Sequence, residues 1–220
     1  MPRPKGLRAP GFDEKRRELL GRIRTRLGEQ GATHASWREL AAAAGVGLST
    51  MTHYFGKRDE VIRAVLEQER ADSAEGLARL AEPGGDFATS LADAADEIII
   101  HLHERGGASL TIGLINGLAH PELGPAALEN VLEPWLAALE RRLAAHVERG
   151  EMANVQPRHA ALAFAAPLIL AHLHQEQLGG KAQRPLDPNA LAATHIGAFI
   201  RAYGKRAEAA PAATESYIEF

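Results

Sequence analysis

The chain of 220 residues contains no cysteine, and this absence excludes a disulfide framework and a thiolate metal site. Aromatic residues make up only 5% of the sequence while alanine is abundant, a balance that favours helices over sheets. No apolar run approaches the roughly 18 residues needed to cross a bilayer, and the start of the chain lacks the apolar core of a signal peptide. We therefore expect a helical protein of the cytoplasm.

The recognised catalytic patterns are also missing. The sequence has no glycine-rich phosphate loop after a strand, no nucleophile elbow and no constellation of carboxylates. Ten histidines raise the question of a metal. However, His101 and His103, like His172 and His174, are two residues apart, a spacing that separates each pair by about 200° around a helix. We expect no enzyme, no metal site and no cofactor.

Charge is distributed unevenly along the chain. Residues 1–60 carry 12 Lys and Arg against 7 Asp and Glu, whereas residues 61–220 carry 13 against 21. A basic first quarter on an acidic body is typical of a DNA-binding head on a body that does not bind DNA. The alternative reading is a chance asymmetry of solvated helix faces.

The most informative segment is 36–61, SWRELAAAAGVGLSTMTHYFGKRDEV. Ser36 as N-cap and Glu39 three residues later form a capping box, which predicts the start of a helix. Gly45 predicts its end, because glycine tolerates the left-handed conformation that closes helices. A second short helix then spans about residues 48–53. The segment therefore predicts a helix-turn-helix, whose second helix enters the major groove of DNA.

The stretch AAAAGVGLSTMTHYFGKRDEVIRAV resembles the DNA-binding signature of the TetR family of transcriptional regulators. That signature has an A-x-x-A-G-V opening, a short recognition helix, a Tyr-Phe pair, and then basic and acidic residues that begin the next helix. The matching residues are Ala41, Ala44, Gly45, Val46, Tyr54, Phe55, Arg58, Asp59 and Glu60. Thr52 and Gly47 depart from it, since the family usually has an aromatic residue at the first position and often Ser or Thr at the second.

Apolar spacing and breaks at glycine and proline predict an all-α protein of about nine helices, with an N-terminal three-helix head and a larger C-terminal helical domain. The fourth helix is expected to run from residue 59 to about 80, and Gly106-Gly107 to end a later helix. The predicted parts are a basic disordered arm (1–11), a helix-turn-helix DNA-binding domain (12–58, motif 36–55), a helical effector-binding and dimerisation domain (59–206) and a mobile tail (207–220). The effector and dimer roles are implied by the resemblance.

Individual DNA contacts follow from the recognition helix. Candidates for base edges, with short or flat side chains, are Leu48, Ser49, Thr52 and His53. The resemblance implies phosphate contacts from Ser36, Arg38, Thr50, Tyr54 and Lys57. A homodimer would present two recognition helices about 34–36 Å apart, one turn of double-stranded DNA, and so read a palindromic operator.

The last two long helices are rich in apolar and small residues. They either complete the core of one domain or form a four-helix bundle with a second copy, and the family resemblance favours the dimer. The candidate interface residues are Leu162, Ala166, Leu170, Leu173, Leu191, His195, Phe199 and Ala202.

The resemblance also implies a pocket for a small-molecule effector, whose binding shifts the fourth helix and releases the operator. Candidate pocket residues are His101, Asn116, His120, Trp135, Phe164, Ile169 and His172, although each histidine can equally be read as a core residue. The hypothesis is a repressor released by an effector. The alternative is a constitutive or architectural dimeric DNA-binding protein without an effector, which would lack a deep apolar cavity in its larger domain.

Overall fold

Helices dominate the structure, a computed structural model that describes residues 11–29 and 31–205. Within those ranges the one extended pairing is an isolated antiparallel bridge between Met152 and Gly204. No helix in the same ranges is both long and apolar enough to cross a membrane. The predicted tail, and all of the predicted arm except Gly11, lie outside the described residues.

The described part of the chain contains twelve α-helices. They are α1 (Phe12–Gly28), α2 (Trp37–Ala44), α3 (Leu48–Phe55), α4 (Arg58–Asp72), α5 (Ala74–Ala81), α6 (Phe87–His101), α7 (Gly107–Ala119), α8 (Gly124–Ala127), α9 (Glu133–Glu148), α10 (Pro157–His172), α11 (Gly180–Gln183) and α12 (Pro188–Tyr203). Three π-helical turns, Leu102–Gly106, Leu128–Leu132 and Leu173–Gln177, follow α6, α8 and α10.

The expected count of nine helices is too low by three. The predicted fourth helix is divided at Ser73, whose backbone leaves the helical region between α4 and α5. Its hydroxyl donates to the Glu69 carboxylate at 2.8 Å, and such local side-chain bonds compete with the helix. The other two additions, α8 and α11, are single turns of four residues. Apolar spacing does not reveal breaks as short as these.

Gly106 and Gly107 do not end a helix, contrary to the expectation. Both keep right-handed helical backbone angles, and the π-helical turn 102–106 joins α6 directly to α7. A Cβ on Gly106 would collide with the ring of His101, and one on Gly107 would lie 2.5 Å from Nε2 of His172. These glycines therefore permit the close approach of two histidine rings rather than a chain reversal.

The predicted boundaries around α2 are confirmed. The Ser36 hydroxyl accepts the backbone N–H of Glu39 at 3.3 Å, and the Glu39 carboxylate accepts the N–H of Ser36 at 2.8 Å. Gly45 then closes α2 with φ 72°, and its N–H donates to the carbonyls of the last turn. Both ends are set by local chemistry, which is why the sequence reveals them.

One hydrophobic cluster of buried side chains runs from α1 to α12. In its first part, Leu19 and Ile23 of α1 meet Leu40 of α2 and Met51 of α3, all fully buried. Burying an aliphatic side chain of this size contributes about 1.5–3 kcal/mol, so these residues hold the two short helices on α1. Neither short helix would be stable alone.

A buried arginine organises the larger half. Arg142 of α9 is only 3% exposed, and it donates to the carbonyls of Arg79 and Leu80 at 2.8 and 2.7 Å. These carbonyls lie in the last turn of α5, where helical partners are missing. Arg142 also donates to the carbonyl and hydroxyl of Ser90 in α6 at 2.8 and 2.7 Å. One side chain thus joins three helices.

We predict that Arg142→Ala lowers the free energy of unfolding by about 3 kcal/mol, because it leaves several buried carbonyls without donors. Arg141→Ala is the matched control, since the neighbouring side chain is exposed and its loss should cost less than about 0.5 kcal/mol. Urea unfolding followed by circular dichroism measures both. Equal losses in the two variants would contradict the role of Arg142.

Candidate functional site

The exposed face of α3 is the first candidate site. Met51 and Phe55, four residues apart, are buried and fix the helix on its support. The four side chains predicted to contact base edges, Leu48, Ser49, Thr52 and His53, are all exposed. For Leu48 the exposed fraction is 42%, which is unusual for an apolar side chain of its size in a packed helix. The structure therefore brings these four together on one short, outward-facing helix.

Phe12, at the start of α1, supports the end of α3. Its ring stacks on Tyr54 with centroids 4.7 Å apart and meets His53 edge-on at 6.0 Å. His53 and Tyr54 also meet edge-on at 5.4 Å. The Thr52 hydroxyl donates to the Leu48 carbonyl at 3.0 Å, so Thr52 offers its methyl group and oxygen lone pairs outward. Sequence reasoning missed Phe12, because an aromatic residue at a helix start gives no signal of its distant partner.

The five predicted phosphate contacts surround α3. Ser36 and Arg38 at the start of α2, and Lys57 just before α4, are exposed. Thr50 and Tyr54 are half-buried. The backbone N–H of Lys57 donates to the Glu60 carboxylate at 2.7 Å, so the basic side chain is presented at a fixed helix start.

A buried carboxylate joins these helices to the rest of the molecule. Glu69 of α4 is 2% exposed and accepts hydrogen bonds from Arg24 of α1 at 3.0 Å, from Ser73 at 2.8 Å and from Ser109 of α7 at 2.8 Å. A buried charge is costly unless it is paired and hydrogen-bonded, and here it is both. Glu69 follows Ile62 and Leu66 on the buried stripe of α4, and this position was the signal that sequence reasoning passed over.

Arg58, the first residue of α4, makes a second connection. It donates to the carbonyls of Thr33 at 2.8 Å and Ala35 at 3.3 Å, in the segment between α1 and α2, and to Oδ1 of Asn116 in α7 at 3.2 Å. The Asn116 amide donates to the carbonyl of Ile112 at 2.8 Å. Asn116, a predicted pocket residue, is therefore used to hold α4 against α7.

Two apolar cavities lie on either side of the π-helical turn 102–106. The outer cavity, about 230 Å³, is lined by the end of α6, by α10 and its π-helical turn, and by the segment that leads into α12. The inner cavity, about 40 Å³, lies between α6, α7, α9 and α10. Leu102 lines both.

The cavities divide the predicted pocket residues. His172 lines the outer cavity, whereas His101, Trp135 and Ile169 line the inner one. The remaining three are elsewhere: Asn116 at the α4–α7 contact, His120 on the surface beside Glu122, and Phe164 in the core against His195 and Phe199.

His101 connects the inner cavity to Glu69. Its ring stacks on the indole of Trp135 with centroids 3.9 Å apart, and its Nε2 lies 3.8 Å from Oε1 of Glu69. Burial lowers the pKa of His101 and outweighs the opposing attraction of Glu69. A side chain that lines the cavity thus touches the carboxylate that holds α1.

His172 has no hydrogen-bond partner for either ring nitrogen among the described residues, although it is only 9% exposed. Buried polar atoms normally find a partner, so such a ring is unusual. Burial is the main cause that lowers the pKa of His172; His103 also lowers it, and Glu176 opposes both. The described residues contain no group of three or more side chains arranged to hold a metal ion.

The predicted dimer residues fall into three classes. Leu162, Ala166, Leu170 and Ala202 are exposed, and Leu170 is 65% exposed. Leu173, Leu191 and His195 are half-buried; His195 makes a 2.9 Å hydrogen bond with the carbonyl of Phe164. Phe199 is buried and stacks on Tyr203, so it belongs to the core of its own chain.

Comparison with known proteins identifies this arrangement as that of a helical transcriptional regulator. A family model described as the AefR-like transcriptional repressor, C-terminal domain, matches residues 89–205, more than half of the chain. The chain therefore belongs to the TetR family of transcriptional regulators. A search of curated protein sequences gives no significant match.

Solved structures share the fold over most of their length. A TetR-family regulator from Mesorhizobium loti matches with a TM-score of 0.70 and 20% identity, over 88% of this chain and 98% of that one. One from Agrobacterium tumefaciens matches with a TM-score of 0.66 and 25% identity, over 87% and 95%. SmeT, the repressor of a multidrug efflux pump of Stenotrophomonas maltophilia, matches with a TM-score of 0.59 and 20% identity, over 86% and 90%.

We predict that acid destabilises the protein partly through His172. Because burial places the folded-state pKa below the unfolded value near 6.5, the unfolded state binds the proton more readily, and stability falls as the pH drops below about 6.5. His172→Leu should therefore lose less stability than wild type between pH 7.5 and 5.5. Urea unfolding across this range measures it, with the exposed His34→Leu as control. Parallel profiles for wild type and His172→Leu would contradict the prediction.

Proposed function

We propose that this protein is a sequence-specific DNA-binding repressor that a small-molecule effector releases from a palindromic operator in the cytoplasm. The observation that carries the proposal is the outward face of α3, with four exposed side chains on a helix held by Met51 and Phe55. Its location in a basic first quarter supports contact with phosphates. Residues 12–58 form the DNA-binding domain and residues 59–206 the effector-binding and dimerisation domain.

Roles within the DNA head follow from exposure and chemistry. Leu48 and the methyl group of Thr52 contact thymine methyls, while Ser49 and His53 hydrogen-bond to base edges. Ser36, Arg38, Thr50, Tyr54 and Lys57 contact phosphates. The stacking of Tyr54 on Phe12 supports its share of this work, because it fixes α3 at a definite angle to α1.

Dimerisation uses the outer faces of α10 and α12. Leu162 and Leu170 expose 44% and 65% of their surface, and the small residues Ala166 and Ala202 between and beside them permit close packing of helices. Exposed large apolar side chains in a row on one helix favour a partner surface. A two-fold axis here would place two α3 helices on successive major grooves.

Effector release is supported by the path from cavity to head. His101 lines the inner cavity and approaches Glu69, and Glu69 binds Arg24 of α1. A ligand that displaces α4 relative to α7 would also strain the Arg58–Asn116 contact. A coupling of about 1–3 kcal/mol suffices for induction. The apolar cavities in the larger half favour this reading over an architectural DNA-binding protein without an effector.

The direct test is binding to DNA from the region upstream of its own gene as salt is varied. Wild type should prefer that DNA over random sequence and lose affinity steeply with salt. The double variant Thr52→Ala/His53→Ala should lose about 1–3 kcal/mol of preference for each base contact removed, while non-specific binding remains.

Lys57→Ala is the matched control for this experiment. As a phosphate contact it should weaken binding to all sequences about equally and lower the salt slope by about one. If wild type showed no preference over random DNA at any salt, the regulator would be replaced by the architectural alternative. Unchanged preference in the double variant would move base reading away from α3.

We also predict that Leu170→Glu converts a dimer into a monomer, because two carboxylates would be buried near the two-fold axis. Sedimentation velocity should give twice 23.6 kDa for wild type and 23.6 kDa for the variant. Leu118→Glu is the control, since Leu118 is 85% exposed at the end of α7, far along the chain from α10 and α12. A variant Leu170→Glu that remains dimeric would contradict the assigned interface.

A further inference from the structure

The outer cavity contains a polar group without a partner. His172 is 9% exposed, lines this cavity, and has both ring nitrogens unbonded among the described residues. We propose that the outer cavity binds an uncharged, mainly apolar small molecule whose single hydroxyl group hydrogen-bonds to His172. As the effector's chemical class, this assignment rests on the proposed function; as a binding site, it stands on its own.

The hydrogen-bonding capacity of His172 selects the polar group. A neutral imidazole has one donor and one acceptor nitrogen. A hydroxyl both donates and accepts, so it can bond to whichever nitrogen it reaches. A buried imidazole left without a partner costs free energy, and a ligand that supplies the bond recovers it. A purely apolar ligand would leave that cost in place.

The chain makes room for this ring at one glycine. A Cβ on residue 107 would lie 2.5 Å from Nε2 of His172, so any side chain larger than that of Gly107 would displace the imidazole. The ring of His103 meets that of His172 edge-on, with centroids 5.9 Å apart. The π-helical turn 102–106 thus brings Gly107 and His103 together against α10 and fixes His172 beside the cavity.

Charge at the cavity selects against ions. Glu176 and Lys181 both line it, but they pair with one another at 3.3 Å. A ligand carboxylate would find its counter-charge already taken and would have to protonate His172 against the effect of burial. A ligand ammonium would likewise meet only a paired Glu176. The uncharged ligand has neither cost.

The size of the cavity limits the ligand to a single small ring system. A dry cavity of about 150 Å³ accommodates benzene, and the outer cavity is about 230 Å³. It therefore admits an aromatic ring with a few additional heavy atoms. Its apolar walls include Leu102, Leu168 and Leu191, which would pack on the ring and chain.

Isothermal titration calorimetry of the full chain with three matched probes tests the proposal. The probes are 4-ethylphenol, which is uncharged at pH 7 because phenols have a pKa near 10, ethylbenzene and 4-ethylbenzoate. We expect 4-ethylphenol to bind roughly threefold to tenfold more tightly than ethylbenzene, the value of one net hydrogen bond. We expect 4-ethylbenzoate to bind more weakly than either.

Three variants locate the effect. His172→Leu should bind 4-ethylphenol and ethylbenzene equally, whereas His172→Gln, which keeps a donor and an acceptor, should retain a preference for the phenol. His159→Leu, an exposed histidine of the same helix, should behave as wild type. If His172→Leu fails to fold, the comparison of wild type with His172→Gln still decides whether a hydrogen bond at residue 172 sets the preference.

Two results would overturn the proposal: tighter binding of the benzoate, or no difference between the phenol and ethylbenzene in wild type. Because these titrations contain no DNA, they are independent of operator binding. Binding of the phenol as expected, together with no specific DNA binding, would refute the proposed function and leave the cavity assignment. Specific DNA binding without the phenol preference would do the reverse.

Discussion

Glu69 is the charge on which the relation between the two halves of this protein depends. It lies on the buried stripe of α4, where solvent cannot stabilise it, and its oxygens are held by Arg24 of α1, Ser73 and Ser109 of α7. Loss of any partner would leave a buried charge poorly compensated. The carboxylate therefore restricts α1, α4 and α7 to arrangements in which all three partners can reach it.

This constraint gives the cavities a physical connection to the DNA head. His101 stands between Trp135 and Glu69, so a change in the inner cavity alters the surroundings of the charge that holds α1. Arg58 connects α7 to the segment between α1 and α2 independently. Interactions with two discrete arrangements, rather than elastic deformation, are what can couple distant sites. The outer cavity adjoins the same π-helical turn through Leu102 and His103.

Local chemistry explains what could be predicted from the sequence. The capping box at Ser36, the closing Gly45 and the family signature defined α2 and α3, and the exposure of the four proposed base contacts agrees with their spacing. Long-range packing explains the rest. Neither the tie from Glu69 to Arg24 nor the use of Asn116 by Arg58 is encoded near those residues, and Gly106-Gly107 was read as a helix end because glycine ends helices more often than it admits a neighbouring ring.

The most direct test of this account is a double-mutant cycle between Arg24 and Glu69, measured as free energies of urea unfolding. Wild type, Arg24→Met, Glu69→Gln and the double variant form the cycle. If the buried pair holds α1 to α4 as described, the losses will be non-additive by at least about 1 kcal/mol. Losses that add within about 0.3 kcal/mol would mean that α1 is held by apolar packing alone, and the proposed path from cavity to DNA head would be contradicted.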